Sequence, residues 1–311
     1  MKMSLKKLIH WLKESRLQYE ISRGFTLYKL MKSNNVSDID YLTKRYISSF
    51  GKKPNIASPQ SFNEKLLWMK LYWRSDLARR CSDKVLVKEY IKECGLEEIV
   101  IPTLAVFNNP KQVHDIQLPD TWVMKTNSDS GGIFIKTRST SKRDFDKGIK
   151  RVEGSLNKNY SNILKEWPYD KIDKKILIEK YIGEEQKELN DYKFFCFNGI
   201  PKYLFVASGR SKGNITFDFF DMQWNWINVK NAHKNSKIIH TKPPQFEKMI
   251  EICKIISKPF SQVRVDLYNV DGKIFFGEMT FFHFGGDEKF VPESFDYLLG
   301  GHWELPPPNH K

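Results

Sequence analysis

Residues 122–136 read WVMKTNSDSGGIFIK, which is an apolar run carrying Lys125, a small-residue turn at Ser130, Gly131 and Gly132, and a second apolar run ending on Lys136. Two short runs rich in β-branched and aromatic residues on either side of a Gly-Gly turn predict an antiparallel hairpin. The turn is unusually bare of side chains. Backbone N–H groups approach phosphate oxygens closely only where side chains are small, and Lys125 and Lys136 would bring ammonium charge to the same anion. An ordinary hairpin with Gly-Gly in its turn fits this one segment equally well.

A second hairpin is written near the C-terminal end. The runs VRVDLY at 263–268 and IFFGEMT at 274–280 flank an Asp271-Gly272 turn, and each holds one carboxylate among apolar residues. Cross-strand neighbours lie close enough for Asp266 and Glu278 to converge on one cation, and two carboxylates plus phosphate oxygens suit Mg²⁺. Solvent-facing acids on alternating strands are the alternative. Between the hairpins, KILIEKYI at 175–182 breaks into a polar stretch at 183–188, as an inter-lobe hinge does. Hinge backbone hydrogen-bonds an adenine edge while Tyr181 and Ile182 supply flat apolar contact; a plain strand end reads the same way.

Charge narrows the partners. The net charge of +14 favours anions: nucleic acid, anionic lipid, or a phosphorylated or carboxylated substrate. Residues 1–33 hold eight basic side chains against Glu14 and Glu20, so they carry +6 of the excess. Leu5, Leu8, Ile9 and Leu12 recur there at helical spacing beside Trp11, which predicts a basic amphipathic helix lying on an anionic membrane or covering the protein's own body. No nucleic-acid-binding motif accompanies the charge, so nucleic acid is not an expected partner. No apolar run is long enough to span a bilayer and no cleavable leader is evident, so a cytoplasmic protein is expected, with peripheral contact at the inner face of the plasma membrane. The four cysteines are scattered, which argues against zinc and against a disulfide framework.

The order of elements predicts an α+β chain of two lobes. A polar, proline-bearing stretch near residues 51–61 marks a boundary, helices are expected over 62–73 and 83–93, and a short buried strand at 99–102. Then come the hairpin at 121–137, a helix at 142–157, the strand at 176–181, strands at 192–197, 202–207 and 216–221, a helix at 246–257, and the carboxylate hairpin. Strands cluster without regular βαβ alternation.

Taken in order, SFNEKLLWMKLY at 61–72, Ser82-Asp83-Lys84, the 125–136 segment, Glu179-Lys180-Tyr181, DYKFFCFNG at 191–199, VRVDLY at 263–268 and GEMTF at 277–281 resemble the ATP-grasp superfamily. The branch they resemble is the TupA-like family of bacterial surface-polysaccharide clusters, and the resemblance runs over roughly residues 61–299. It implies an ATP-grasp fold with two α+β lobes gripping ATP in the cleft between them, behind a helical N-terminal extension. The implied division is a basic extension at 1–55, a region preceding the nucleotide lobe at 56–118, a nucleotide-binding lobe at 119–182, and a C-terminal lobe with the metal site at 183–311. Lys84, Lys125, Ser130, Gly131, Gly132 and Lys136 would hold the phosphates, and Glu179, Lys180, Tyr181 and Ile182 the adenine. Asp266 and Glu278 would hold Mg²⁺. Many enzymes of the superfamily carry asparagine two positions after the metal-binding glutamate; this chain has Thr280 there, which the resemblance makes the third metal position.

The resemblance implies a carboxylate–amine ligase that consumes ATP through an acyl phosphate. The carboxylate would be a uronic acid or an amino acid and the acceptor an amine. Lys193 would stabilise phosphate, and Arg264, two residues before Asp266 and on the same sheet face, would position the acid. Salt bridging within the protein is the alternative for both. His283 follows the metal hairpin as a packing residue or at the acceptor pocket, and Trp224 and Trp226 as core or as a sugar platform. A glycosyltransferase of the same pathway is the competing reading; its usual D-x-D motif is approached only by Asp218 and Asp221, at the wrong spacing.

Overall fold

The computed structural model describes residues 36–129, 131–157, 160–184, 189–210 and 213–310. The amphipathic segment at 1–33 and the turn residue Ser130 lie outside the described residues. The chain divides into two compact units, Met1–Asn55 and Ile56–Lys311. In the first, α1 (Asp38–Phe50) starts at Ser37, whose hydroxyl accepts from the Asp40 N–H, and stops at Gly51 in the left-handed conformation.

The second unit holds α2 (Phe62–Tyr72), α3 (Asp76–Ser82), α4 (Val87–Glu93), α5 (Lys142–Leu156), α6 (Tyr160–Leu164), α7 (Phe246–Ser257) and α8 (Ser294–Gly301). Its smaller sheet is antiparallel and comprises β1 (Thr103–Phe107), β2 (Trp122–Thr126), β3 (Ile133–Lys136) and β4 (Ile176–Lys180), in the order β1-β4-β2-β3. Alternation along the strands sends Trp122, Met124, Ile176 and Ile178 to one face, where they pack on Ile149 and Val152 of α5. The helix sits so close that a Cβ on Gly148 would lie 2.3 Å from the Phe134 ring. Because β1 joins this sheet, the sheet begins before residue 119, ahead of the expected start of the nucleotide lobe. The strand expected at 99–102 is not formed. Residues Glu97–Ile99 make a 3₁₀ turn, Pro102 has no N–H for a ladder, and pairing starts where the Lys180 N–H donates to its carbonyl at 3.0 Å.

The larger sheet contains β5 (Asp191–Phe197), β6 (Ile200–Ser208), β7 (Thr216–Asp221), β8 (Trp226–Ile227), β10 (Gln262–Val270) and β11 (Lys273–Thr280), in the antiparallel order β11-β10-β5-β6-β7-β8; β9 (Lys230–Asn231) pairs separately with β12 (Phe290–Val291). Both faces are covered. Phe194 stacks on Phe246 of α7, while Phe195 on the opposite face meets Phe62 of α2 edge-on at 5.7 Å. A fully buried phenylalanine contributes about 1.5–3 kcal/mol, so this double-sided aromatic packing anchors β5 from both faces. Helix α2 is fixed at its start by a capping box between Ser61 and Glu64, and the Asn63 N–H and side-chain amide both donate to Asp296 of α8 at 3.0 Å.

Candidate active site

On β10 and β5, the register places Asp266 opposite Lys193, and on β11 it places Asp266 opposite Glu278. All three therefore share one sheet face, with Arg264 two residues along it. The Arg264 guanidinium grips Asp266 through both oxygens, at 2.7 and 2.8 Å, and its Nη2 also donates to Thr280 Oγ1 at 2.9 Å and Glu278 Oε1 at 3.2 Å. Lys193 forms a short contact with Asp266 and a second at 2.7 Å with Asp191, which Arg210 also reaches at 3.1 Å. Burial would raise the Glu278 carboxyl, but Lys84, Lys193 and Arg264 overcome it and hold the acid below the usual carboxylate range. Burial pushes the Asp266 carboxyl up, against the guanidinium and ammonium that pull it down.

Behind Arg264 stands a residue the sequence left ambiguous. His283 Nδ1 faces Arg264 Nη1 at 2.9 Å, and its Nε2 faces Asn231 Oδ1 at 2.9 Å. A guanidinium only donates, so Nδ1 must accept and Nε2 must carry the proton. Asn231 in turn donates its amide to the carbonyls of Glu288 and Lys289, which fixes Oδ1 toward the histidine. Burial, then Arg264 and Lys193, keep the imidazole well below its ordinary pKa, consistent with that neutral form. His283 is a positioning residue buried behind the guanidinium.

The smaller sheet presents a second buried carboxylate. Glu179 on β4 takes Lys125 of β2 at 2.5 Å and Lys88 of α4 at 2.6 Å. Burial works against its charge, and the two ammonium groups overcome it, leaving the acid below the usual range. Lys88 also donates to the Ile101 carbonyl and Thr103 Oγ1. The turn after β2 is held by Asp129, whose Oδ1 accepts from Thr126 Oγ1 and from the Gly132 N–H at 3.0 Å. Gly132 admits no side chain, because a Cβ there would come within 2.8 Å of Thr126 and Ser155. Lys84 spans the two sheets: its ammonium donates to the Asp129 carbonyl and lies 3.8 Å from Glu278 Oε2. Its neighbour Asp83 anchors Asn127 at 2.9 Å, so the Asp83-Lys84 pair fixes the turn from outside the sheet.

The structure separates two lysines that the sequence brings to one anion. Lys125 pairs with Ile133, whereas Lys136 pairs with Trp122 and so projects to the opposite, α5 face; its ammonium reaches the carbonyls of Asp120 and Thr137. The two pairs are three positions apart along each strand, an odd step, so alternation sends their side chains to opposite faces. Lys180 ends β4 exposed, while Tyr181 and Ile182 follow the strand half-buried. Thr280 offers its hydroxyl to Arg264 and lies 3.4 Å from Glu278. Asp218 and Asp221 are occupied structurally: Asp218 accepts from the Ser236 N–H and contacts His240, and Asp221 closes the turn at Gln223 and Asn225. Trp224 stacks on Phe220 at 4.4 Å as core, and Trp226 is exposed on β8. Lys88, Asp191, Arg210 and Asn231 were not singled out in the sequence. Only Asp191 carried a signal, as the start of a strand with Lys193 two residues on.

Residues 64–304 match the family described as TupA-like ATPgrasp, more than half of the chain. The chain belongs to the TupA-like ATP-grasp family. The two antiparallel sheets, with helices packed on each, are its α+β ATP-grasp fold. No curated protein matches the sequence. Among solved structures, the chain is similar to D-alanine–D-alanine ligase from Helicobacter pylori at 13% identity and a TM-score of 0.43, covering 79% of this chain and 70% of that one. It is similar to an L-amino acid ligase from Bacillus licheniformis at 11% identity and a TM-score of 0.36, covering 86% and 56%. A D-alanine–D-alanine ligase from Bacillus anthracis, complexed with ATP, gives 16% identity and a TM-score of 0.35, covering 64% and 53%.

The ATP-grasp fold implies a divalent cation, and the donor set fits one. Glu278 is an ionised, partly exposed carboxylate that would serve as an oxygen ligand, Asp266 lies beside it in the grip of Arg264, and the cationic side chains around them would receive phosphate. Among the described residues no group of three or more His, Cys, Asp or Glu side chains is placed to hold a metal ion. Among the described residues, no helix is long and apolar enough to cross a membrane.

Proposed function

We propose that this chain is an ATP-dependent carboxylate–amine ligase that acts in the assembly of a bacterial surface polysaccharide. The observation that carries the reading is Lys84, one ammonium shared between the turn after β2 and the Glu278 carboxylate, because a triphosphate lying between the two sheets would meet both at that point. Lys84, Lys125 and the N–H groups of the turn at 128–132 bind the phosphates. The backbone of 179–182 binds the adenine edge. Glu278, with Asp266, would hold Mg²⁺, which would supply charge neutralisation at the transferring phosphate. The segments 119–182 and 183–311, with β1 added to the first, serve as the nucleotide and acceptor lobes.

A carboxylate does not react with an amine at neutral pH because its oxygen leaves poorly. In the proposed reaction a carboxylate oxygen attacks the γ-phosphorus and ADP departs. Lys193 and Arg264 offset the negative charge that gathers there, and His283 keeps the guanidinium aimed at it. The amine nitrogen then attacks the acyl carbon, and phosphate and a proton leave. The polysaccharide role is supported by the family to which the chain belongs, with a uronic acid or amino acid as the acid.

The test is turnover with a matched acid and amine. ADP and inorganic phosphate should appear in equal amounts, EDTA should abolish turnover, and hydroxylamine should trap the activated acid as a hydroxamate. Release of UDP or GDP from a nucleotide sugar with ATP untouched would overturn the ligase reading in favour of a glycosyltransferase.

A further inference from the structure

The largest exposures of any large hydrophobic side chains among the described residues are consecutive: Ile238 is 72% exposed and Ile239 is 92% exposed. They crown the connection between β9 and α7. An isolated exposed aliphatic residue needs no explanation, but two at a loop tip do when the loop is rigidly built.

This one is. The Ser236 N–H donates to Asp218 at 3.1 Å, and the Ser236 hydroxyl donates to the Ile238 carbonyl at 2.8 Å and accepts from the Ile238 N–H at 3.2 Å. On the far side, His240 contacts Asp218 at 3.1 Å and accepts through its carbonyl from the Trp224 indole at 3.0 Å. Below the tip, the Asn235 amide donates to the carbonyls of Phe217 and Val229. The tip is thus presented by the same strand, β7, that belongs to the core of the large sheet.

Charge identifies the partner. Between residues 228 and 241 the chain has three lysines, Lys230, Lys234 and Lys237, and no acidic residue, while Lys242 beyond them is paired with Glu247 at 2.5 Å. Lys234 and Lys237 are exposed immediately before the isoleucines. An apolar tip with a basic collar matches the boundary of an anionic bilayer, where isoleucine side chains enter the acyl region and lysines remain at the headgroups. A protein partner would be expected to offer acidic groups around an apolar pocket, but the tip is a protrusion of two residues, too small to form a specific protein interface by itself. We infer that the loop around Ile238 and Ile239 docks the protein on an anionic membrane surface, independently of the segment at 1–33 and of the nucleotide site.

The experiment measures partition of the full-length protein onto vesicles of phosphatidylcholine with one quarter phosphatidylglycerol, against phosphatidylcholine alone. Ile238→Ser with Ile239→Ser should lower partition onto the anionic vesicles at least about tenfold, and Lys234→Glu with Lys237→Glu should lower it by about as much, with ATP turnover unchanged in both. A second measurement reads the tip directly. Ile239→Cys, in a Cys94→Ser background and carrying an environment-sensitive fluorophore, should shift to the blue on anionic vesicles only. Unchanged partition in both double variants, or no blue shift while the protein is bound, would overturn the inference and assign any binding to another surface. A concentration-dependent oligomer that dissolves in the isoleucine double variant, without vesicle binding, would overturn it in favour of contact between copies of the chain.

Discussion

The two buried carboxylates, Asp266 and Glu179, face the same physical problem and solve it differently. Each sits under two cationic side chains. Asp266 is held by a guanidinium whose Nη1 also faces His283 and whose Nη2 also reaches Thr280 and Glu278, so the fork is oriented from several sides. Glu179 is held by two point-charge ammonium groups from different elements, Lys88 and Lys125, and only Lys88 has further partners fixing it. The guanidinium arrangement is preorganised; the lysine arrangement can release one member and keep the other. If the proposed function holds, that difference gives one site a fixed end, where charge would develop in a set place, and a yielding end that would accept and discharge nucleotide.

The strongest way to break the comparison is to remove the fixed cation. Arg264→Met should cost about 3–5 kcal/mol in chemical denaturation, because Asp266 loses its bidentate partner inside the sheet. Lys125→Met should cost less than about 1 kcal/mol, since Lys88 stays on Glu179; equal costs would erase the distinction. The yielding cation should show itself in binding. By calorimetry, Lys125→Ala should weaken ATP by about 1.5–3 kcal/mol, roughly 10- to 150-fold, and unchanged affinity would remove Lys125 from the nucleotide site.

The support behind the fixed cation has a pH signature. The His283 pKa is depressed from 6.5 in the folded state, so the unfolded chain takes up a proton first as pH falls. Stability should therefore drop below pH 6.5, by at most about 1.4 kcal/mol per pH unit, and His283→Asn should flatten that limb while lowering stability at pH 8 by about 1–3 kcal/mol through the orphaned Arg264 donor. If the limb persists in the variant, another group causes it.

A third buried carboxylate calibrates the other two, because the groups that hydrogen-bond it are neutral. Asp296 accepts from Asn63, and burial pushes its carboxyl from 3.8 up to about 6. A raised folded pKa means the folded state holds the proton longer, so this group's contribution is fully present below about pH 4 and is lost as pH rises to about 6. Asp296→Asn should abolish that loss and stabilise the protein above pH 6 by on the order of 1–2 kcal/mol. A variant less stable than the parent at pH 8 would show that Asp296 is held ionised after all.

Much of this was legible in the sequence where local rules govern. The pairing of Asp266 with Glu278 followed from the Asp271-Gly272 turn, the helix at Phe246–Ser257 from its periodicity, and the shared face of Arg264 and Asp266 from alternation. Long-range choices were not legible. Alternation put Lys125 and Lys136 on opposite faces, but only once the register Trp122 to Lys136 was known. Lys88 reaches Glu179 across more than ninety positions of sequence, and Asn231 reaches His283 across fifty-two, so no local pattern marks either. The role of Arg264 as a clamp on Asp266 depends on a fork geometry that residue type alone does not reveal.

The chain of hydrogen bonds from Asn231 through His283 to Arg264 begins on two main-chain carbonyls, those of Glu288 and Lys289. A carbonyl survives every substitution of the residue that carries it. Sequence drift at 288 and 289 can therefore change the side chains without reversing the Asn231 amide, moving the proton on His283, or turning the guanidinium. The tautomer at the heart of the site is inherited through the path of the backbone, and it is lost by a shift of that path sooner than by a change of letters along it.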